Sequence, residues 1–106
     1  MNERINVYTL TVEIGRKEGD GLPENATGAA MMCFCPAASE AEAVRETVAI
    51  LKQGGLAPLD VSSYGTLQER LDDGHDINDE ERAMMQRALD ENSVVVAMTS
   101  PFFDVG

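Results

Sequence analysis

Two cysteines separated by a single residue are the part of the sequence whose type and spacing most suggest chemistry. Cys33 and Cys35 lie in the apolar run MMCFCP, residues 31–36. In an extended strand their side chains point the same way with α-carbons about 7 Å apart, beyond the usual span of a disulfide, so we expect free thiols. With Met31 on the same strand face, they form a set of soft ligands that suits Cu(I).

We favour a packing role for these sulfur-containing residues. A zinc site typically has four ligands in paired spacings, whereas the chain has two cysteines and one histidine, His75, on a distant segment. Cysteine and methionine are also common as filling in apolar cores. The sequence therefore predicts no metal and no cofactor, and soft-metal binding at Cys33 and Cys35 is kept as an alternative.

The segment from Glu69 to Glu81 concentrates seven acidic residues in thirteen positions. An EF-hand calcium loop aligned on Gly74 would need an oxygen ligand where the chain has Leu71, so that pattern fails. We interpret these acids as helix caps and first-turn charges. His75, within the segment, belongs to a residue type that works as a general acid or base, but it stands alone on a polar loop and we interpret it as a surface residue.

A glycine-rich stretch, Gly15–Gly28, matches neither the dinucleotide-binding fingerprint nor the Walker pattern. Its length predicts a long exposed loop. Arg16 and Lys17 make it a rare basic spot on an acidic chain, and they are our candidate ligand-loop residues. The corresponding alternative function is a small-ligand-binding or catalytic domain whose pocket lies between this loop and a sheet.

Composition narrows the class of protein. The 106 residues predict a single domain, 1–106, and the net charge of −11 disfavours nucleic acid and anionic lipid as partners. No apolar stretch reaches the length of a membrane helix, and the first residues do not resemble a secretory signal. We therefore expect a cytoplasmic protein with no membrane partner.

Apolar periodicity and turn residues predict four strands and three helices. The strands are expected over 5–14, 29–35, 56–64 and 94–99, and the helices over 39–54, 66–74 and 78–91. Ser39, Thr66 and Asn78 are the expected N-caps. Leu59 and Val61 are expected to point inward.

This order, ββα β(short α)α β, predicts an α+β two-layer sandwich. We expect a four-stranded mixed or antiparallel sheet with two main helices on one face. The architecture loosely resembles ferredoxin-like folds, although a glycine-rich loop replaces the helix that those folds place between their first two strands.

The second and fourth strands are apolar on both faces, which indicates interior strands. If the helices cover one face only, the other face presents an apolar patch. The expected interface consists of Met31, Met32, Cys33, Phe34, Cys35, Phe102 and Phe103. The sequence thus predicts a non-enzymatic protein-interaction or regulatory module that forms a homodimer or binds another protein partner.

Overall fold

Four strands and three helices follow one another in the order expected from the sequence. The structure is a computed structural model that describes residues 4–103. The elements are β1 (Asn6–Ile14), β2 (Ala26–Ala37), α1 (Glu40–Gln53), β3 (Pro58–Thr66), α2 (Leu67–Asp72), α3 (Asp79–Glu91) and β4 (Val95–Phe103). None of the helices in this range is long and apolar enough to cross a membrane.

The strands form one antiparallel sheet in the order β3-β1-β2-β4. β1 and β2 are paired without a register shift, with Leu10 opposite Cys33 and Thr9 opposite Phe34. Because successive side chains of a strand point to opposite faces, these two pairs define the two faces of the sheet. We call them the α1 face, which carries Leu10 and Cys33, and the α3 face, which carries Thr9 and Phe34.

Helix α1 packs on the α1 face. Its buried side chains Ala43 and Leu51 join the alternating apolar residues of β1 and β2 in two adjoining clusters. The strand members of these clusters are Tyr8, Leu10, Val12, Ile14, Ala29, Met31, Cys33, Cys35 and Ala37. The regular alternation in β1 is thus explained by one continuous core beneath α1.

Helix α3 packs on the opposite face. Met85 and Ala88 of α3 contact a cluster centred on Phe34, together with Val7 and Val95. Phe34 is fully buried and is the largest fully buried side chain of the described chain. The two main helices therefore lie on opposite sides of the sheet.

The expected two-layer sandwich with both main helices on one face is corrected by this arrangement. β3 and β4 occupy the two outer edges, so the chain must cross the sheet twice. The crossing from β2 to β3 runs through α1 on one face, and the crossing from β3 to β4 runs through α2 and α3 on the other. The loose resemblance to ferredoxin-like folds is not confirmed, because the two main helices lie on opposite faces of the sheet.

The helix starts agree with the predicted caps. The side chains of Ser39, Thr66 and Asn78 each accept a hydrogen bond from a backbone N–H three residues on. At Thr66 the Glu69 carboxylate also accepts from the Thr66 N–H, which completes a capping box. These local bonds satisfy donors that the first helical turn leaves free.

The outer strands differ from their predictions. β4 was expected to be interior and to end at residue 99, but it is an edge strand that runs through Pro101 to Phe103. Proline is tolerated there because half of the N–H groups of an edge strand point away from the sheet. In β3, Leu59 was expected to point inward and is 68% exposed, since a register shift between Glu13 and Ile14 leaves it out of the ladder.

Candidate interaction surface

The two cysteines are buried in the core beneath α1, where Cys33 packs in one cluster with Met31. Cys33 and Cys35 are free thiols on the α1 face, 0% and 1% exposed. Burial raises the pKa of Cys33 to about 11, and the neighbouring Cys35 adds to the rise. Burial also raises the pKa of Cys35, partly opposed by the Thr47 hydroxyl. Within residues 4–103 no three His, Cys, Asp or Glu side chains are grouped to hold a metal ion.

The predicted ligand loop is folded around Arg16. The guanidinium donates to the Asp20 carboxylate at 3.0 Å and to the carbonyl of Pro23 at 3.0 Å, and it also contacts the carbonyl of Ala26. Asp20 in turn accepts from the backbone N–H of Lys17 and Leu22. Arg16 therefore holds the loop together. Lys17, the other predicted basic residue, is exposed, and its side chain makes none of these bonds to the carbonyls of the described loop.

His75 belongs to a polar network that the sequence did not reveal. Its Nδ1 accepts a hydrogen bond from Arg70 Nε at 3.1 Å. Arg70, which is 7% exposed, also donates from Nη1 to Thr9 Oγ1 at 3.1 Å and contacts Glu81 at 3.5 Å. The network ties α2 and the start of α3 to β1, so its geometry gives Arg70 and His75 a structural role.

Half of the α3 face is left uncovered. Next to the row of Phe34 and Val95, which α3 covers, Met32 pairs with Met98 and Ala30 pairs with Ser100. With Thr11, these four residues line an open depression of about 210 Å³. Together with Phe102, Glu13 and Asp60, they form what we call the open half-face.

The open half-face is apolar on the side of β2 and β4. Met98 is 58% exposed and Phe102 is 41% exposed, and Met32 is partly buried at the border of the α3 cluster. Phe102 lies opposite Gly28, where an added β-carbon would meet its ring at 3.7 Å. Met32 and Met98 are direct neighbours, and Phe102 lies two rows further along β4, beyond the row of Ala30 and Ser100.

The other side of the open half-face is acidic. Glu13 and Asp60 are directly opposite each other in the β1–β3 ladder, so their side chains lie on the same face, and both are exposed. Like charges in directly opposite positions of a sheet are destabilising. No Lys or Arg occurs in any of the four described strands, so the sheet offers these carboxylates no cation.

The predicted interface residues are divided between core and surface. Met31, Cys33, Phe34 and Cys35 are buried beneath the chain's own helices, because those helices cover both faces at this point. Met32, Phe102 and Phe103 remain at least partly accessible. The structure thus leaves a smaller accessible surface than the seven residues suggested.

Met98, Thr11, Glu13 and Asp60 were not among the predicted site residues. The alternation in β1 does place Thr11 and Glu13 together on the face opposite to Leu10 and Val12, and this pattern predicts that they share a surface. The position of Asp60 beside Glu13 depends on the pairing of β3 with β1, and no local pattern encodes that pairing.

One family model matches residues 7–103 of the chain, and its description is Domain of unknown function (DUF8846). The matched range includes every residue of the open half-face. No curated protein and no solved structure matches the chain significantly.

Proposed function

The chain belongs to the family described as Domain of unknown function (DUF8846), and we propose that it is a non-enzymatic protein-interaction module that binds a cationic segment of another protein on the open half-face. One observation carries this proposal. Met98, which pairs with Met32, and Phe102, two rows further along β4, are exposed on a sheet face that the chain's own helices leave half uncovered. Exposed apolar side chains grouped on one uncovered sheet face mark interaction sites in soluble proteins.

Charge favours a partner that differs from this chain. The protein has a net charge of −11, and the acidic side of the open half-face consists of Glu13 and Asp60. A second copy on the same surface would bring further carboxylates and no strand cation to neutralise them. A partner with Lys or Arg at the rim would relieve the repulsion and gain attraction. The homodimer expected from the sequence is therefore an outcome to be tested.

The chemistry of the remaining candidates supports binding over catalysis. The raised pKa of Cys33 keeps its thiol neutral at physiological pH, whereas the thiolate is the nucleophile. His75 Nδ1 is occupied by Arg70. Arg16 is occupied by its own loop.

The test is a comparison of two variants. In Met98→Glu a charge is placed in the middle of the open half-face, and in Ile50→Glu the same charge is placed on α1, across the sheet, where Ile50 is 43% exposed. Tagged parent and variants are incubated with lysate, bound proteins are identified by mass spectrometry, and each is purified and titrated against the parent. We expect a 1:1 partner rich in Lys or Arg that Ile50→Glu retains and Met98→Glu loses.

Light scattering of the purified protein tests whether it forms a homodimer. A concentration-dependent dimer that Met98→Glu dissociates would show that a second copy occupies the surface, against the proposed cationic partner. A purified partner that binds Met98→Glu as tightly as the parent would place the interaction elsewhere and overturn the proposal.

A further inference from the structure

The free edge of β4 is poorly suited to pair with another strand. A register shift between Met32 and Cys33 leaves Ala97 bulged out of the ladder. The Phe102 carbonyl accepts from Thr27 Oγ1 at 3.3 Å, so it faces β2. The backbone groups of its neighbour Pro101 therefore face outward, and proline has no N–H to offer there. Bulges and outward prolines are devices that protect edge strands from strand addition.

We therefore expect a partner to bind through exposed apolar side chains and not through hydrogen bonds to the backbone of this edge. Met98 and Phe102 project from β4 onto the open half-face, where Met32 of β2 joins them. An extended peptide added to the edge would run past Ala97 and Pro101. A helix laid on the face avoids both positions.

The open half-face has the dimensions and the surroundings for one helix. Helix α3 already packs Met85 and Ala88 on the adjoining row of the same face, and Met32 packs at the border of that cluster. Rows of side chains on one face are about 7 Å apart along the strands, so the three rows from Met32 to Phe102 span about 14 Å. A helix with its side chains is about 10 Å wide. A second helix would continue the layer that α3 begins.

We propose that the open half-face takes a basic amphipathic helix, with its apolar stripe on Met32, Met98 and Phe102 and with Lys or Arg over Glu13 and Asp60. This inference rests on the proposed function and specifies the conformation and charge of the partner segment. Flexible methionine side chains suit such a stripe because they adapt to different apolar shapes. The helix-in-groove mode of recognition has the same division into apolar anchors and charged flanks.

Three synthetic peptides of about 18 residues, five turns of helix, test the inference. The first carries Leu at helical spacing and Lys along one flank of that stripe. The second has the same composition in strict apolar–basic alternation, a strand pattern. The third is the first peptide with every Lys replaced by Glu. Each is titrated into isotope-labelled protein, and amide chemical shifts, peptide circular dichroism and the dissociation constant are measured.

We expect the first peptide to become helical and to shift the amides around Met32, Met98 and Phe102. The double variant Glu13→Gln, Asp60→Asn should weaken it about tenfold, equivalent to about 1.4 kcal/mol. The Glu peptide and the alternating peptide should bind at least about tenfold more weakly than the first. A matched variant, Glu80→Gln on the first turn of α3, should leave binding unchanged.

Other outcomes separate this inference from the function it rests on. Preferential binding of the alternating peptide, with protection of β4 amides, would overturn the helix and leave the interaction module standing. Equal binding of the Lys and Glu peptides would overturn the charge requirement. Failure of all three peptides would overturn the inference, while the Met98→Glu capture experiment still decides the function on its own readout.

Discussion

Arg70 Nη1 donates a hydrogen bond to Thr9 Oγ1 at 3.1 Å across 61 residues of sequence. Thr9 is fully buried on the inner strand β1, and Arg70 is 7% exposed on the short helix α2. The same guanidinium reaches His75 and Glu81. A six-residue helix is too short to be stable alone, so this buried network fixes α2 on the sheet.

Replacing Arg70 by Ala should destabilise the fold by about 2–4 kcal/mol, because Thr9 and Glu81 lose a charged partner in a largely buried place. Arg70→Lys should recover only part of this loss, since an ammonium cannot reproduce the fork of a guanidinium. Urea unfolding measures both. The matched control is Arg87→Ala, which removes an exposed ion pair with Glu91 and should cost less than about 0.5 kcal/mol. Equal losses at Arg70 and Arg87 would contradict the structural role.

Gly28 should not accept a side chain. An added β-carbon would lie 2.5 Å from the carbonyl oxygen of Ile14 in the neighbouring strand. Gly28→Ala should therefore destabilise the protein by about 1–3 kcal/mol through overpacking at the β1–β2 hairpin. Gly54→Ala is the control, because its nearest contacts would be at 3.5 Å or more and its φ is −80°. Equal losses of thermal stability in the two variants would contradict the close approach of Gly28 to the Ile14 carbonyl.

The hydrogen bonds that the Asp20 carboxylate accepts within the 15–25 loop should be lost only in strong acid. The hydrogen bond from Arg16, with those from the backbone N–H of Lys17 and Leu22, lowers the pKa of Asp20 to about 2 from 3.8. A lowered pKa means that stabilisation by this group is complete above about pH 4 and disappears as the pH falls through about 2. NMR titration of the Lys17 and Leu22 amides should show a transition near the lower value, absent in Asp20→Asn. A transition near pH 4 would exclude these bonds.

Alkaline solution should weaken the fold through Cys33. Because burial raises the pKa of this thiol from 9.0 to about 11, the folded state favours the neutral form. Its contribution to stability is fully present below about pH 9 and is lost as the pH rises through about 11. Unfolding free energies measured over this range should fall more steeply for the parent than for Cys33→Ala. Parallel curves would show that Cys33 ionises as readily in the folded state as in the unfolded one.

Local sequence patterns accounted for the elements because each has a local cause. The alternation from Tyr8 to Ile14 follows from the apolar core beneath α1, and the caps at Ser39, Thr66 and Asn78 are bonds within four residues. Each of these features is complete within one turn or one strand. The number and order of the elements were therefore predictable.

The placement of the helices was not predictable from the same patterns. Whether α1 and α3 share a face depends on which strands form the edges, and strand order is set by contacts between distant segments. The apolar residues on both faces of β2 are compatible with two arrangements. Either the chain's helices bury one face and a partner buries the other, or the chain's helices bury both. The candidate surface shifted for that reason, from Cys33 and Phe34 toward Met98 and Phe102.

The strand order has a consequence for how the molecule is assembled. Its two inner strands, β1 and β2, lie within the first 37 residues and are joined directly by one loop. During synthesis this hairpin leaves the ribosome before either outer strand, so β3 and then β4 become available for pairing with strands that precede them. β4 is the last of the four strands to become available, and the open half-face around Met98 is complete only once β4 has paired with β2.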